Sequence, residues 1–136
     1  MGQNKKMIKQ IKSSEVKNYI KKNSNVVLLD VRTENEWVTL GKPDAENLNS
    51  KTYFITVSPD LSNWQVPDPN FVKNVKKKID KDKIILVMCA AGGRSMIAAN
   101  LLEAEGYSTL NISDGFNGNG QDPGWKNSGL PSIINS

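Results

Sequence analysis

The sequence predicts an α/β domain: a central, mainly parallel sheet flanked by helices, in three layers. Three observations carry this. Apolar, β-branched runs alternate with segments of helical periodicity along the chain, the pattern of strand–helix–strand units. The stretch Val26-Val27-Leu28-Leu29-Asp30-Val31 reads as a continuous apolar run, as in a parallel strand covered on both faces. The 136 residues make one domain of ordinary size, able to bury roughly two-thirds of its unfolded surface without disulfide or metal.

In chain order, residues 1–9 read as a loose tail, 10–132 as the domain and 133–136 as a polar tail. Ser13-Ser14-Glu15 offers an N-cap, and Val16, Tyr19 and Ile20 follow at i, i+3, i+4, so an amphipathic helix is expected up to the Asn23-Ser24-Asn25 break. The strand at 26–31 comes next. Thr33 and Glu36 form a capping box that opens a helical turn carrying Trp37, and Gly41-Lys42-Pro43-Asp44 ends it. Tyr53 to Val57 reads as a second strand, bounded by Pro59. Asp68-Pro69 reads as an N-cap with proline at the first helical position, and Phe71, Val72, Val75 and Ile79 follow at helical spacing. Ile84 to Met88 is a buried strand, the next helix runs to about Glu105 and stops at Gly106, and Thr109 to Ser113 is a further strand. Residues 117–124 are a glycine- and asparagine-rich loop, after which Trp125 to Leu130 packs back as a short helix.

Composition removes several function classes. There is no histidine, which excludes Cys-His and Ser-His-Asp catalysis and the common imidazole metal sites. The single cysteine cannot close an internal disulfide and fits a reducing compartment. No apolar run approaches the ~20 residues of a membrane span. The basic, polar start lacks the apolar core of a secretory signal, and Lys6 stands where a myristoylation motif wants Ser or Thr. A cytoplasmic protein is expected, with neither a membrane nor a nucleic acid as partner. The net charge of +4 is concentrated in Lys5 to Lys22 and Lys73 to Lys83. Without arginine clusters or interleaved aromatics these read as solvated lysine surfaces rather than a nucleic-acid footprint.

The chemistry concentrates at Cys89. It ends the run Ile84-Ile85-Leu86-Val87-Met88 and opens the turn Ala90-Ala91-Gly92-Gly93-Arg94-Ser95, which leads into a helix. Loop amides and a helix N-terminus converging on a sulfur favour a thiolate and attract anions. In an open α/β sheet, ligands bind beyond the carboxyl ends of the strands, and Cys89 lies at such an end. Cys89 is therefore the candidate nucleophile, with Ala90, Ala91, Gly92, Gly93, Arg94 and Ser95 as the substrate cradle. Gly92 and Gly93 supply positive φ. Arg94 either points into the pocket or pairs with a carboxylate and braces the loop. Ser95 is most simply the helix N-cap, with a second role of donating to the sulfur. Asp30 and Arg32 read as structural ion pairing near the strand end, with Glu36 as a further partner, rather than as catalysts. Trp37 and Trp125 read as core or lid packing, Asp114-Gly115 as a turn at the site's rim, and Glu103 and Glu105 as a solvated helix face. No metal or cofactor is called for.

Three blocks of residues resemble the single-domain rhodanese, or rhodanese-like sulfurtransferase, family. The first is Leu28-Leu29-Asp30-Val31-Arg32 with Glu36-Trp37, Gly41 and Ala45 to Leu48. The second is Ile85 to Ser95 with the helix ending Glu105-Gly106-Tyr107. The third is Asp114-Gly115-Phe116 with Trp125 and Gly129-Leu130-Pro131. Together they run from about residue 11 to residue 131. Two segments depart: Gly41-Lys42-Pro43-Asp44-Ala45-Glu46 replaces the family's Gly-His-Ile-Pro-Gly-Ala run, and the loop before Trp125 is long.

The resemblance implies a rhodanese-like fold and a sulfurtransferase. Cys89 would take a sulfane sulfur from a small anionic donor such as thiosulfate and hold it as a persulfide. It would then pass the sulfur to a thiol, to cyanide or to an acceptor protein. Two other classes are open. A cysteine phosphatase or arsenate reductase uses a similar loop, but its pattern places five residues between cysteine and arginine, against the four from Ala90 to Gly93 here. A persulfide carrier or binding module would instead hand its sulfur to a protein partner, docked on the lysine surface.

Overall fold

In the computed structural model, which describes residues 7–134, five parallel strands form one sheet in the order β1-β6-β5-β2-β4. The elements are β1 (Lys9–Ile11), α1 (Ser13–Lys22), β2 (Val26–Asp30), α2 (Glu34–Leu40), β3 (Lys42–Pro43), β4 (Lys51–Phe54), α3 (Phe71–Lys76), β5 (Ile84–Met88), α4 (Gly93–Ala104), β6 (Ser108–Ile112) and β7 (Ser132–Ile133). Strands β3 and β7 form a separate antiparallel pair. Among the described residues no helix is long and apolar enough to cross a membrane.

The pleat sorts the apolar residues into two cores. Val27, Leu29 and Val31, with Ile85, Val87 and Cys89, face α3 and α4, whose Phe71, Val75, Ala98, Ala99 and Leu102 cover them. Val26, Leu28, Leu86 and Met88 point the other way, onto Val16 and Ile20 of α1 and onto Phe116 and Trp125. Because alternate side chains of one strand leave by opposite faces, both faces are buried and β2 is apolar without alternation. Helices lie on either side of the sheet, so the expected layered α/β architecture is present.

Several elements begin elsewhere than the sequence pattern suggests. Strand β1 starts at Lys9, inside the segment expected to be tail, because Lys9, Gln10 and Ile11 pair with Leu110, Asn111 and Ile112 of β6. At the other end, Ile133 pairs with Lys42. Strand β4 starts at Lys51 rather than Tyr53. It is set by its register on β2, where Val27 meets Lys51 and Asp30 meets Phe54. Asp68 does not cap α3 directly. Its carboxylate accepts from Asn70 N–H (2.9 Å) and its carbonyl from Phe71 N–H (3.0 Å), making a turn before the helix. Glu105 is not simply solvated, since it pairs with Lys76 at 2.6 Å.

β2, β5 and β6 end together: Asp30 is in register with Met88, and Ile112 lies one strand further along the same edge. Of the residues after these three ends, Cys89-Ala90 line the candidate site, while Val31-Arg32 and Ser113-Asp114 stand beside and behind it.

Candidate active site

Cys89 follows the last residue of β5 and is 1% exposed. Cys89 nevertheless lines an open hollow of about 230 Å³, together with Trp64, Ala90, Ala91, Gly93 and Arg94. Gly92 N–H donates to Sγ at 3.0 Å, and Ser95 Oγ lies 3.3 Å from it. The turn that aims the Gly92 amide needs φ of +106°, and a Cβ there would meet the Ser113 carbonyl at 2.5 Å. Only glycine meets both conditions.

α4 begins at Gly93 with Gly92 as its N-cap, so Ser95 is not the cap the sequence suggested. It stands inside the first turn, fully buried. There its hydroxyl is shared between Cys89 Sγ and Asn111, to whose Oδ1 it donates. Asn111 Nδ2 in turn donates to Gln10 Oε1 at 2.9 Å. A polar chain thus runs from the sulfur through α4 and β6 to the edge strand β1.

Arg94 resolves to the bracing geometry. Its guanidinium holds Glu36 by two hydrogen bonds, Nη1 to Oε1 at 2.7 Å and Nη2 to Oε2 at 2.8 Å. The same carboxylate accepts from Thr33 N–H and Oγ1, both at 3.0 Å, closing the capping box of α2. Burial pushes the Glu36 carboxyl up. The Arg94 hydrogen bonds, the Thr33 amide and the Arg94 charge outweigh it, and the group ends below its ordinary value. Its hydrogen bonds to the Glu36 carboxylate hold the Arg94 guanidinium above its own ordinary value, against the opposing effect of burial. Glu36 was expected beside Asp30 and Arg32; it pairs with Arg94 instead, because α2 turns its first face toward the loop.

Asp30 and Arg32 pair with each other, both fully buried, with Nη2 to Oδ2 at 2.8 Å and Nε to Oδ1 at 3.1 Å. The same guanidinium donates to the Gly41 carbonyl at 2.9 Å and lies 4.2 Å from the Phe116 ring centroid. It ties the end of β2 to the end of α2 and to the C-terminal segment, away from the hollow. Trp125 is buried in the core, its Nε1 donating to the Pro131 carbonyl at 2.8 Å, while Trp37 packs edge-on against Phe54.

The back of the loop is fastened by the segment after β6. Phe116 N–H donates to the Cys89 carbonyl at 2.8 Å and Asn117 N–H to the Ala90 carbonyl at 2.9 Å. Asp114 is fully buried and fixes that segment, accepting from Ser13 N–H and Oγ, both at 2.9 Å, and from Gly124 N–H at 3.0 Å. Asp114-Gly115 is thus a buried hinge pin behind the loop rather than a rim turn.

Sequence reasoning missed Trp64 and Asn111. Trp64 sits in the aperiodic stretch Leu61-Ser62-Asn63-Trp64-Gln65-Val66. Its only signal was a large aromatic in a loop, where functional residues concentrate. Asn111 could have been found as a polar residue inside an otherwise apolar strand, since a buried amide needs partners.

The chain is thus a layered α/β domain whose one cysteine sits in a short loop leading from the carboxyl end of a central strand into a helix. The profile of the rhodanese-like domain family matches residues 12–120, and the chain belongs to that family. The Rickettsia prowazekii protein RP600, itself uncharacterised, is 40% identical over 92% of this chain and 97% of its own length. The crystal structure of Rv0390 from Mycobacterium tuberculosis superposes with a TM-score of 0.78 at 26% identity, covering 93% of this chain and 98% of that one. Two neighbours share the fold alone. They are the polysulfide-sulfur transferase homodimer of Wolinella succinogenes (TM-score 0.66, 21% identity, 95% of this chain and 80% of that one) and a possible tyrosine phosphatase of Rhodopseudomonas palustris (TM-score 0.58, 23% identity, 91% and 83%).

Proposed function

We propose that the protein is a sulfurtransferase that moves a sulfane sulfur from a small donor to a thiophilic acceptor through a Cys89 persulfide. The observation that carries this reading is a cysteine that lines the hollow, its sulfur 3.0 Å from the Gly92 amide and 3.3 Å from the Ser95 hydroxyl. Both groups offer a hydrogen to a negatively charged sulfur, and neither needs an imidazole to do so.

With thiosulfate, the simplest donor, the Cys89 thiolate attacks the outer sulfur. A new S–S bond forms at Cys89, the S–S bond of thiosulfate breaks, and its electron pair leaves with sulfite. Cyanide or a thiolate then attacks the terminal persulfide sulfur, and the pair of that bond returns to Cys89. Both steps balance without an outside oxidant or reductant. The acceptor is a thiol, cyanide or an acceptor protein.

A phosphatase reading is disfavoured by two features. The loop has four residues between Cys89 and Arg94, which leaves a small cradle. The Arg94 guanidinium, which a phosphate would need, already holds Glu36 with both terminal nitrogens.

Mass spectrometry after incubation with a sulfane donor, followed by a thiocyanate assay with cyanide, tests the proposal. The wild type is expected to gain one sulfur on Cys89 and to release thiocyanate. Cys89→Ser is expected to do neither while keeping its far-ultraviolet circular dichroism. Thiocyanate formation by that variant, or release of an aryl alcohol from an aryl phosphate by the wild type, defeats the reading.

A further inference from the structure

The walls around the Cys89 sulfur are apolar. Ala90, Ala91 and Gly93 bring no charged group, and Trp64 closes one side. A Cβ at Gly93 would stand 3.4 Å from two ring carbons of Trp64, so the indole lies directly over the start of α4. Trp64 remains 39% exposed even so. Its place is fixed from below, where buried Ser58 donates through Oγ to the Trp64 carbonyl at 2.6 Å. Asp60 also caps the preceding turn through Ser62 N–H at 3.0 Å. Arg94 is the only cation among the lining residues, and Glu36 already matches its charge at 2.7 and 2.8 Å. An arriving dianion therefore meets no uncompensated charged side chain on these walls, whereas an arriving aromatic ring meets the partly exposed side chain of Trp64.

We infer that the donor site is built for an organic sulfane sulfur, one carried on an apolar and preferably aromatic group that packs against Trp64, in preference to the thiosulfate dianion. This rests on the sulfurtransferase reading and narrows its donor. The volume allows it: a cavity of roughly 150 Å³ already accepts benzene, and this hollow measures about 230 Å³. An aryl thiosulfonate has the required chemistry. The Cys89 thiolate attacks its outer sulfur and the new S–S bond forms. The bond to the sulfonyl sulfur breaks, and the electron pair leaves with the aryl sulfinate. Trp64 touches the departing group and not the transferred atom, so it sets specificity without altering the chemical step.

The test compares kcat/KM for benzenethiosulfonate, methanethiosulfonate and thiosulfate in the wild type, Trp64→Ala and Trp64→Phe. The wild type is expected to favour the benzene over the methane derivative by roughly three- to tenfold, the worth of one aromatic contact, and to use thiosulfate least well. Trp64→Ala is expected to erase the benzene-over-methane preference and to cost benzenethiosulfonate about threefold or more beyond what it costs thiosulfate, with Trp64→Phe retaining most of the preference. Equal wild-type values for the two thiosulfonates, or a uniform loss of all three donors in Trp64→Ala, overturns the inference. A second readout does not depend on sulfur transfer. Cys89 is the only cysteine, so its alkylation by N-benzyliodoacetamide against iodoacetamide, followed by mass, probes the same walls. Faster benzyl alkylation that disappears in Trp64→Ala, in a chain that forms no persulfide, keeps the aromatic subsite and sinks the sulfurtransferase. Persulfide formation with no discrimination in either assay does the reverse.

Discussion

Ser95 has one hydroxyl proton and two neighbours placed to receive it. In the structure it donates to Asn111 Oδ1 while Sγ of Cys89 lies 3.3 Å away. With a thiol, S–H donates to Ser95 and the hydroxyl proton stays with Asn111. Once the sulfur carries charge, the hydroxyl turns to donate to it. A hydrogen bond to a charged group is worth ~1.5–3 kcal/mol, so Ser95→Ala is expected to slow single-turnover persulfide formation about ten- to hundredfold, and Ser95→Thr to restore most of the rate. A Ser95→Ala rate equal to wild type would mean that Gly92 N–H alone supports the charge. Arg94 acts differently at this scale. Its charge is spent on Glu36, so its removal loosens the loop more than it repels anions.

At the level of elements, the Glu36–Arg94 pair clamps α2 to α4 across the mouth of the site and completes the α2 cap at the same carboxylate. The folded state holds the Glu36 carboxyl below its ordinary value of 4.5. Between that value and the lowered one, the unfolded chain binds a proton that the folded chain does not. This contribution to stability is therefore complete above about pH 4.5 and is lost as pH falls through the lowered value. Glu36→Gln is expected to flatten the acid limb of the stability curve, measured by urea unfolding between pH 3 and 6, relative to wild type. Parallel curves for the two proteins would show that the clamp carries no linkage. Gly115 plays a matching role behind the loop. At φ of +59° a Cβ would come within 2.6 Å of the Cys89 carbonyl, so this turn must stay bare for the loop to sit where it does.

Across the whole molecule, the fully buried Asp30–Arg32 pair joins the central strand, the end of α2 and the C-terminal segment through Gly41 and Phe116. Removing one partner of such a pair leaves an uncompensated charge and costs about 3–5 kcal/mol. Arg32→Met is expected to lower stability by about that much, roughly 10–20 °C in melting temperature for a domain of this size. Below the transition the sulfur-transfer rate should stay within about twofold of wild type, because Arg32 does not line the hollow. A loss of rate in the still-folded variant would place Arg32 in the chemistry.

The local pattern alone determined the α/β class, the strands expected at 26–31 and 84–88 and observed as Val26–Asp30 and Ile84–Met88, and the Thr33–Glu36 capping box, and it singled out Cys89 as the candidate nucleophile. These follow from short-range signals: an apolar run, a T-x-x-E spacing, and a lone cysteine before a glycine turn. Strand pairing decided the rest. The edge strand at Lys9 exists because β6 offers it partners, and the register on β2 moved β4 toward Lys51. Glu36 lies 58 residues from Arg94 in the chain, and Trp64 comes from a loop with no periodicity. No local signal couples such residues. They meet only because the sheet brings the carboxyl ends of β2 and β5 side by side, where packing rather than propensity chooses each side chain's neighbours.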